Sequence, residues 1–189
     1  AASDVYKRQK QQFALRVLST AALMAMVSSI ATAAFAAEYN VTKGSVEIEA
    51  KNGSQCITQR DDTGAFVTDK DGAIDHRPDS DIILTTKNKD TGEIETTSNT
   101  VTITAENKDD TANVTLRDVD IESSSKRSSD PAPIEIKGNG NTNLELDGNN
   151  TVFSGNEVHA GIEKADVNGT GTLTIKDDVN DDGSEKTGT

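Results

Sequence analysis

The sequence predicts an all-β fold, and more specifically a right-handed parallel β-solenoid, from three observations. Apolar and polar residues alternate in short runs, for example at residues 45–50 and 101–104, which is typical of strands with one buried face. After Ala37 no window repeats apolar residues three and four positions apart, so helix signals are nearly missing. Short strands also recur at a fixed period in the second half of the chain.

That repeat contains two strands per unit, and the second strands start about 30 residues apart. The units combine residues 101–103 with 114–116, 134–136 with 144–146, and 161–163 with 173–175. Gly- and Asn-rich turns separate the two strands, and an acidic turn follows each second strand. A three-residue strand buries too little apolar surface alone, whereas equivalent strands stacked on one another form a continuous apolar ladder.

The alternative is an antiparallel β-sandwich, whose strands have similar lengths and short turns. We favour the solenoid because only stacking explains a repeat period. Residues 37–98 are less regular and are predicted to be a capping or irregular β region. Residues 99–189 are predicted to be the repeat coils. The chain stops shortly after a strand-like segment, so we expect a truncated gene.

Residues 1–36 are set apart from the fold. The first nine lack an initiator Met and resemble translated adaptor read-through at the edge of a metagenomic gene. Four basic residues then precede an apolar run at 17–30 and a small-x-small site ending at Ala36, the pattern of a secretory signal peptide. The run is shorter than the ~20 residues of a membrane span. We therefore expect a secreted or cell-surface protein of bacterial type, without membrane insertion of the mature part.

The charge balance excludes some partners. The whole chain carries a formal net charge of −13, and the part after Ala36 has 15 basic and 31 acidic residues, a net charge of −16. Nucleic acid and anionic membranes are therefore poor partners. The only cysteine, Cys56, cannot form an internal disulfide, and we predict that it is a small buried hydrophobe.

A family resemblance lies at residues 143–152, 154–155, 159–164 and 171–175, where Gly, Asn and Leu occupy structural positions. There the chain resembles the carbohydrate-binding β-helix proteins secreted by gut and cellulolytic Firmicutes, which are similar to pectate-lyase folds. The resemblance covers roughly residues 99–182. It implies a β-helix that binds plant polysaccharides without cleaving them.

One segment is a candidate calcium loop. Asp178, Asn180 and Asp182, followed by Gly183, match the first half of a D-x-N-x-D-G loop, in which oxygens at alternate positions surround one cation. The twelfth position is Thr189 rather than a bidentate Glu. The alternative is an acidic turn, since Asp, Asn and Gly favour turns for conformational reasons.

The sequence contains no recognisable set of catalytic residues. A calcium-assisted polysaccharide lyase would need clustered carboxylates and a base, and Arg117 and Lys137 are the only bases at strand ends. We expect both to be solvated salt-bridge partners. His76 and His159 have no nucleophile elbow to serve. Few aromatic residues remain for stacking on sugar rings.

Together these observations predict a secreted, non-catalytic carbohydrate-binding or adhesin-like module. Its expected partner is a polysaccharide of a plant cell wall or a host glycan, contacted by polar side chains, with calcium as the only candidate cofactor. Two alternatives remain open. One is a structural spacer whose acidic faces prevent edge aggregation, and the other is the calcium-dependent lyase.

Overall fold

The computed structural model describes residues 37–123, 131–155, 157–164 and 169–177, and confirms that this part of the chain is all-β. One 3-10 turn, Val41–Lys43, lies within these ranges. The strands are β1 (Glu38–Asn40), β2 (Ser45–Lys51), β3 (Ser54–Arg60), β4 (Thr68–Asp69), β5 (Gly72–Ala73), β6 (Arg77–Pro78), β7 (Ile82–Thr85), β8 (Val101–Ala105), β9 (Thr111–Arg117), β10 (Asp120–Ser123), β11 (Ile134–Lys137), β12 (Asn141–Asp147), β13 (Thr151–Ser154), β14 (Ile162–Lys164) and β15 (Leu173–Asp177).

Three of the sheets contain parallel pairs. Sheet 1 has the order β1-β7-β9-β12-β15, and all of its pairs are parallel. Sheet 2 has the order β14-β11-β8-β2-β3-β6, and its first four strands are mutually parallel. Sheet 3 is the parallel pair β10-β13. Among the named strands, antiparallel pairing is confined to β2 with β3, β3 with β6 and β4 with β5, so the ladders lack the pairing of a sandwich.

The registers place residues from successive repeats side by side. In sheet 1, Val114 pairs with Leu144, and Leu144 pairs with Ile175. In sheet 2, Val101 pairs with Ile134, and Ile134 pairs with Ile162. The strand pairs predicted from the repeat therefore do lie next to their equivalents.

Three details of the predicted repeat are wrong. The prediction aligned Gly161 with Ile134, but Ile134 pairs with Ile162, a shift of one residue. The prediction aligned Leu173 with Leu144, but Leu173 pairs with Thr142, a shift of two residues that keeps the same side chains facing inward. The first two repeats each have a third strand that the prediction missed, β10 and β13. These strands are four residues long and each buries mainly one apolar side chain, Ile121 or Val152, which leaves almost no periodicity to detect.

The core is built from the inward-facing residues of the ladders. Ile103, Leu116, Ile134 and Leu144 are fully buried, and each such side chain contributes about 1.5–3 kcal/mol of hydrophobic stabilisation. Ile175 continues the row of Leu144 but is 48% exposed, because β15 lies at the edge of sheet 1. The apolar alternation seen in the sequence is therefore the pattern that fills the interior.

The parallel ladders extend into residues 37–98 through β1, β2 and β7, and the rest of this region adds antiparallel strands. β3 carries two buried polar side chains, Gln55 and Gln59, on the face turned toward the interior. Gln59 Nε2 donates to the backbone carbonyls of Asn40 at 2.8 Å and Gly44 at 3.0 Å. β3 thus supplies hydrogen bonds to neighbouring backbone as well as apolar surface.

Candidate functional site: a polar groove on sheet 1

Outward-facing side chains of sheet 1 form two rows across the strands. Because side chains alternate along a strand, burial of Val114 and Leu116 turns Asn113 and Thr115 outward. The register then places Asn143 and Thr174 in line with Asn113, and it places Glu145 and Lys176 in line with Thr115. Neighbours in a row are one strand apart, about 4.8 Å.

These rows line a shallow depression that we call the Asn groove. Its volume is about 320 Å³, and its lining residues are Ser80, Asp81, Asn113, Val114, Thr115, Asn143, Glu145 and Lys176. Ser80 and Asp81 come directly before β7 and form one wall. The Asp81 backbone N–H donates to Asp79 Oδ1 at 3.0 Å. The floor of the groove is therefore formed by strands of sheet 1, and one of its walls is formed by the turn at Ser80 and Asp81.

Tyr39 anchors that wall from the interior. Its ring is buried, and its hydroxyl donates to Asp79 Oδ2 at 2.9 Å. Burial, followed by the contact with the Asp79 carboxylate, raises the pKa of Tyr39 well above its usual range, so the phenol keeps its proton as a donor. Asp79 is thus tied both to the core and to the turn beside the groove.

Asn113 and Asn143 are joined across the floor of the groove. Asn143 Nδ2 donates to Asn113 Oδ1 at 2.9 Å, a bond between equivalent positions of two repeats. An amide can donate twice and accept twice, so this bond orients both side chains and leaves further hydrogen-bonding capacity on each. Asn113 is exposed to solvent and Asn143 is partly exposed, which makes that capacity accessible.

Charges in the groove are few and partly paired. Lys176 Nζ lies 3.9 Å from Glu145 Oε2, and both side chains are substantially exposed. A pair of this kind contributes little to stability, about 0–1 kcal/mol. Asp81 supplies the remaining lining charge and is exposed. The groove therefore offers neutral amides and hydroxyls together with two carboxylates and one ammonium group.

A second depression, on sheet 2, contains Cys56. Its volume is about 280 Å³, and it is lined by Glu47, Ile48, Glu49, Cys56, Thr58, His76, Thr102, Thr104 and Lys137. The prediction of a buried cysteine is wrong: Cys56 faces outward opposite Glu49 and is partly exposed. Desolvation and the nearby Glu49 carboxylate raise the pKa of the Cys56 thiol, so it is not an activated nucleophile.

The two bases considered for a lyase both contact carboxylates. Arg117 Nε lies 2.5 Å from Asp147 Oδ2, and its guanidinium also approaches Glu38 at 4.0 Å. Lys137 Nζ lies 2.7 Å from Glu135 Oε2 on the same strand. These contacts are those expected of surface ion pairs.

The structure also shows the contacts of the two histidines and the positions of two phenylalanines. His76 Nδ1 lies 2.7 Å from Asp75, and His159 Nδ1 lies 2.7 Å from Glu163. Phe66 lies beneath the Arg60 guanidinium, 4.0 Å from carbon Cζ to the ring centroid. Phe153 is 56% exposed on sheet 3, away from the Asn groove. None of the residues that line the Asn groove is aromatic.

The predicted calcium ligands Asp178, Asn180 and Asp182 lie outside the described residues. Within the described ranges, no three or more His, Cys, Asp or Glu side chains gather as a metal site. No helix in that same part of the chain is long and apolar enough to span a membrane.

Sequence reasoning missed Asn113 and Asn143 as site residues, although a signal was present. The segments Asn113-Val-Thr-Leu116 and Asn143-Leu-Glu-Leu146 place Asn at the same position of two repeats. The wall at Ser80 and Asp81 had no such signal, since it is distant in sequence from both. Comparisons with protein-family models, curated proteins and solved structures return no match for this chain.

Proposed function

We propose that the protein is a secreted carbohydrate-binding module and that the Asn groove is its binding surface. The observation that carries the proposal is the hydrogen-bonded pair Asn113–Asn143, which places equivalent amides of two repeats in one accessible depression. Sugar hydroxyls both donate and accept hydrogen bonds, and side-chain amides do the same. An amide row bordered by Thr115 and carboxylates suits a hydroxyl-rich polymer.

The proposal includes the architecture. We infer that the parallel strands of sheets 1, 2 and 3 form the three faces of a β-solenoid, with one such strand of each sheet per turn. Hydrogen-bonded equivalents separated by 30 or 31 residues support this, as in Asn143 to Asn113 and Thr172 to Asn141. In such a stack each added turn lengthens the groove by one strand spacing, which suits an extended ligand.

The proposed binding mode depends on polar contacts. Ring stacking is a common mode of sugar recognition, but the groove has no aromatic lining. Tyr39, although close to the wall, is 2% exposed and cannot offer its ring to a ligand. We therefore expect modest affinity per sugar residue and dependence on several hydrogen bonds along the chain of the ligand.

A glycan array probed with the protein tests this function. The double variant Asn113→Ala/Asn143→Ala should lose about thirty-fold in affinity for any glycan bound, because it removes two hydrogen bonds worth roughly 1 kcal/mol each. Asn149→Ala is the matched control: Asn149 is exposed on the turn after β12, and its backbone N–H, not its side chain, contacts Asp118.

Circular dichroism and melting temperature establish that each variant is folded. Loss of glycan binding in the double variant, with Asn149→Ala unchanged, is the expected result. Failure of the folded parent protein to bind any glycan would overturn the proposal. Equal affinity of the parent and the double variant would remove the Asn groove as the binding surface.

A further inference from the structure

We infer that the Asn groove selects uncharged glycans and discriminates against polyuronates; this inference rests on the proposed function and specifies its ligand class. The lining side chains include two carboxylates, Asp81 and Glu145, and one ammonium group, Lys176. The formal charge of the lining is therefore −1. A polyuronate carries one negative charge per sugar residue and meets like charge in this groove.

The one cationic side chain that lines the groove, Lys176, already lies near a protein carboxylate. Lys176 Nζ lies 3.9 Å from Glu145 Oε2. The next cation along sheet 1, Arg117, lies 2.5 Å from Asp147 through its Nε. Recognition of a uronate carboxylate favours an Arg fork or a Lys ammonium that faces the ligand. Here a uronate would have to compete with protein carboxylates for both cations.

The same acids suit a neutral sugar. Carboxylates accept hydrogen bonds from hydroxyl groups, and such charge-assisted bonds are stronger than bonds between neutral groups. Asp81 stands on the wall and is exposed, while Asn113 and Thr115 lie on the floor beside it. A neutral sugar can therefore donate to the wall and exchange hydrogen bonds with the floor without adding charge.

The surrounding protein strengthens the discrimination. The part of the chain after Ala36 carries a net charge of −16, so polyanions are repelled before they reach the groove. This long-range repulsion is screened by salt, with a Debye length of about 10 Å at 0.1 M ionic strength. Repulsion inside the groove acts over shorter distances and persists at higher salt.

The test measures affinity of the protein for neutral oligosaccharides and for oligogalacturonates of the same length, in EDTA, at about 50 and 500 mM salt. Neutral probes are hexamers of glucose, xylose and mannose, together with the neutral glycans on the array. We expect neutral binding at least ten-fold tighter than uronate binding at low salt, with a smaller ratio at high salt.

Variants assign the effect to the groove. Asp81→Asn/Glu145→Gln should reduce the neutral-to-uronate affinity ratio about five-fold. The control Glu93→Gln/Glu122→Gln removes two exposed carboxylates outside the groove and should leave the ratio unchanged. An equal reduction by both double variants would overturn the inference, because net charge alone would then explain the selectivity.

Three further outcomes separate this inference from the proposed function. Equal or tighter binding of oligogalacturonate in EDTA would overturn the inference and leave the proposed function standing. Binding of oligogalacturonate as tight as neutral binding, only when calcium is added, would also overturn it, in favour of calcium ions that bridge the carboxylates of protein and ligand. Failure of the protein to bind any glycan would overturn both.

Discussion

The Gln55 side chain pairs with the Asn113 backbone in the manner of a neighbouring strand. Gln55 Nε2 donates to the Asn113 carbonyl at 3.0 Å, and Gln55 Oε1 accepts the Asn113 N–H at 2.7 Å. The pairing of β7 with β9 begins at Ile82 and Val114, so β7 starts one position too late to pair with Asn113. The buried side-chain amide of Gln55 therefore completes the sheet just before β7 begins, beside the Asn groove.

This relationship predicts a large effect of Gln55→Ala. The substitution leaves the Asn113 backbone without its partners and also removes a bond to the Asp79 carbonyl. Because three partly buried hydrogen bonds are lost, each worth about 0.5–1.5 kcal/mol, we expect a loss of about 2–4 kcal/mol, measured by urea unfolding. Gln55→Glu should fail to restore stability, since it replaces the donor with an acceptor. The exposed neighbour substitution Ser54→Ala is the control, and equal stability of Gln55→Ala and Ser54→Ala would contradict the structural role.

Gly138 and Gly53 form a matched pair for a steric prediction. Both have positive φ, +88° and +74°, so alanine is strained at either position. A Cβ at Gly138 would overlap the Ala105 carbonyl, whereas a Cβ at Gly53 would meet open space. We expect Gly53→Ala to cost about 1 kcal/mol and Gly138→Ala at least about 1–3 kcal/mol more, because the stacked strand must move. Equal unfolding free energies for the two variants would contradict this packing.

Thr142 offers a stabilising substitution. Its side chain is 1% exposed, and its hydroxyl has no hydrogen-bond partner within the described structure. Burying an unpaired hydroxyl is unfavourable, so Thr142→Val should raise the free energy of unfolding by about 1 kcal/mol. Thr102→Val, at a partly exposed position on sheet 2, should change it little. A destabilised Thr142→Val would show that the hydroxyl has a partner in the folded protein.

The free energy of unfolding should decrease at low pH because Asp69 becomes protonated. Hydrogen bonds from Arg77, at 2.6 and 2.9 Å, lower the pKa of Asp69 to about 2. The folded-state pKa lies below the unfolded value of about 3.9, so the unfolded state binds more protons across this interval. The contribution is therefore complete above about pH 5 and is lost as the pH falls toward 2. Melting temperatures at pH 7, 4 and 2.5 measure this loss.

Asp69→Asn isolates that contribution. The variant should be less stable than the parent at pH 7, and the difference should shrink as the pH approaches 2. Asp118, whose pKa is lowered chiefly by its bond to Lys87, keeps some acid sensitivity in the variant. A constant difference between parent and variant from pH 7 to pH 2.5 would exclude Asp69 as a source of acid sensitivity.

The repeat could be predicted because it is local. Strand alternation in 101–105 and 134–137 depends on which face is buried, and both segments carry that pattern in their own residues. The acidic turns after second strands were also visible, at Asp118 and Asp147. Strands β10 and β13 could not be predicted from the sequence, because one buried side chain in four residues makes no recognisable alternation.

The groove could be predicted only in part. Asn113 and Asn143 share a repeat position, so their alignment was available from sequence. Ser80 and Asp81 reach the same groove through the tertiary structure, in which the turn before β7 lies beside β9. Gln55 reaches Asn113 across 58 positions of chain, through an antiparallel strand that breaks the repeat.

By itself, the sequence determined the all-β class, the short one-sided strands and the period at which they recur, because these follow from local alternation of apolar side chains. Tertiary structure alone decided the register of the last repeat, the antiparallel strands added in residues 37–98, and which polar side chains meet on the surface. The residues of a strand indicate which of its faces is buried, but packing with residues distant in the chain determines the strand's neighbours. That is why Cys56, predicted to be buried, faces outward beside Glu49, and why Gln55 is buried as a strand substitute.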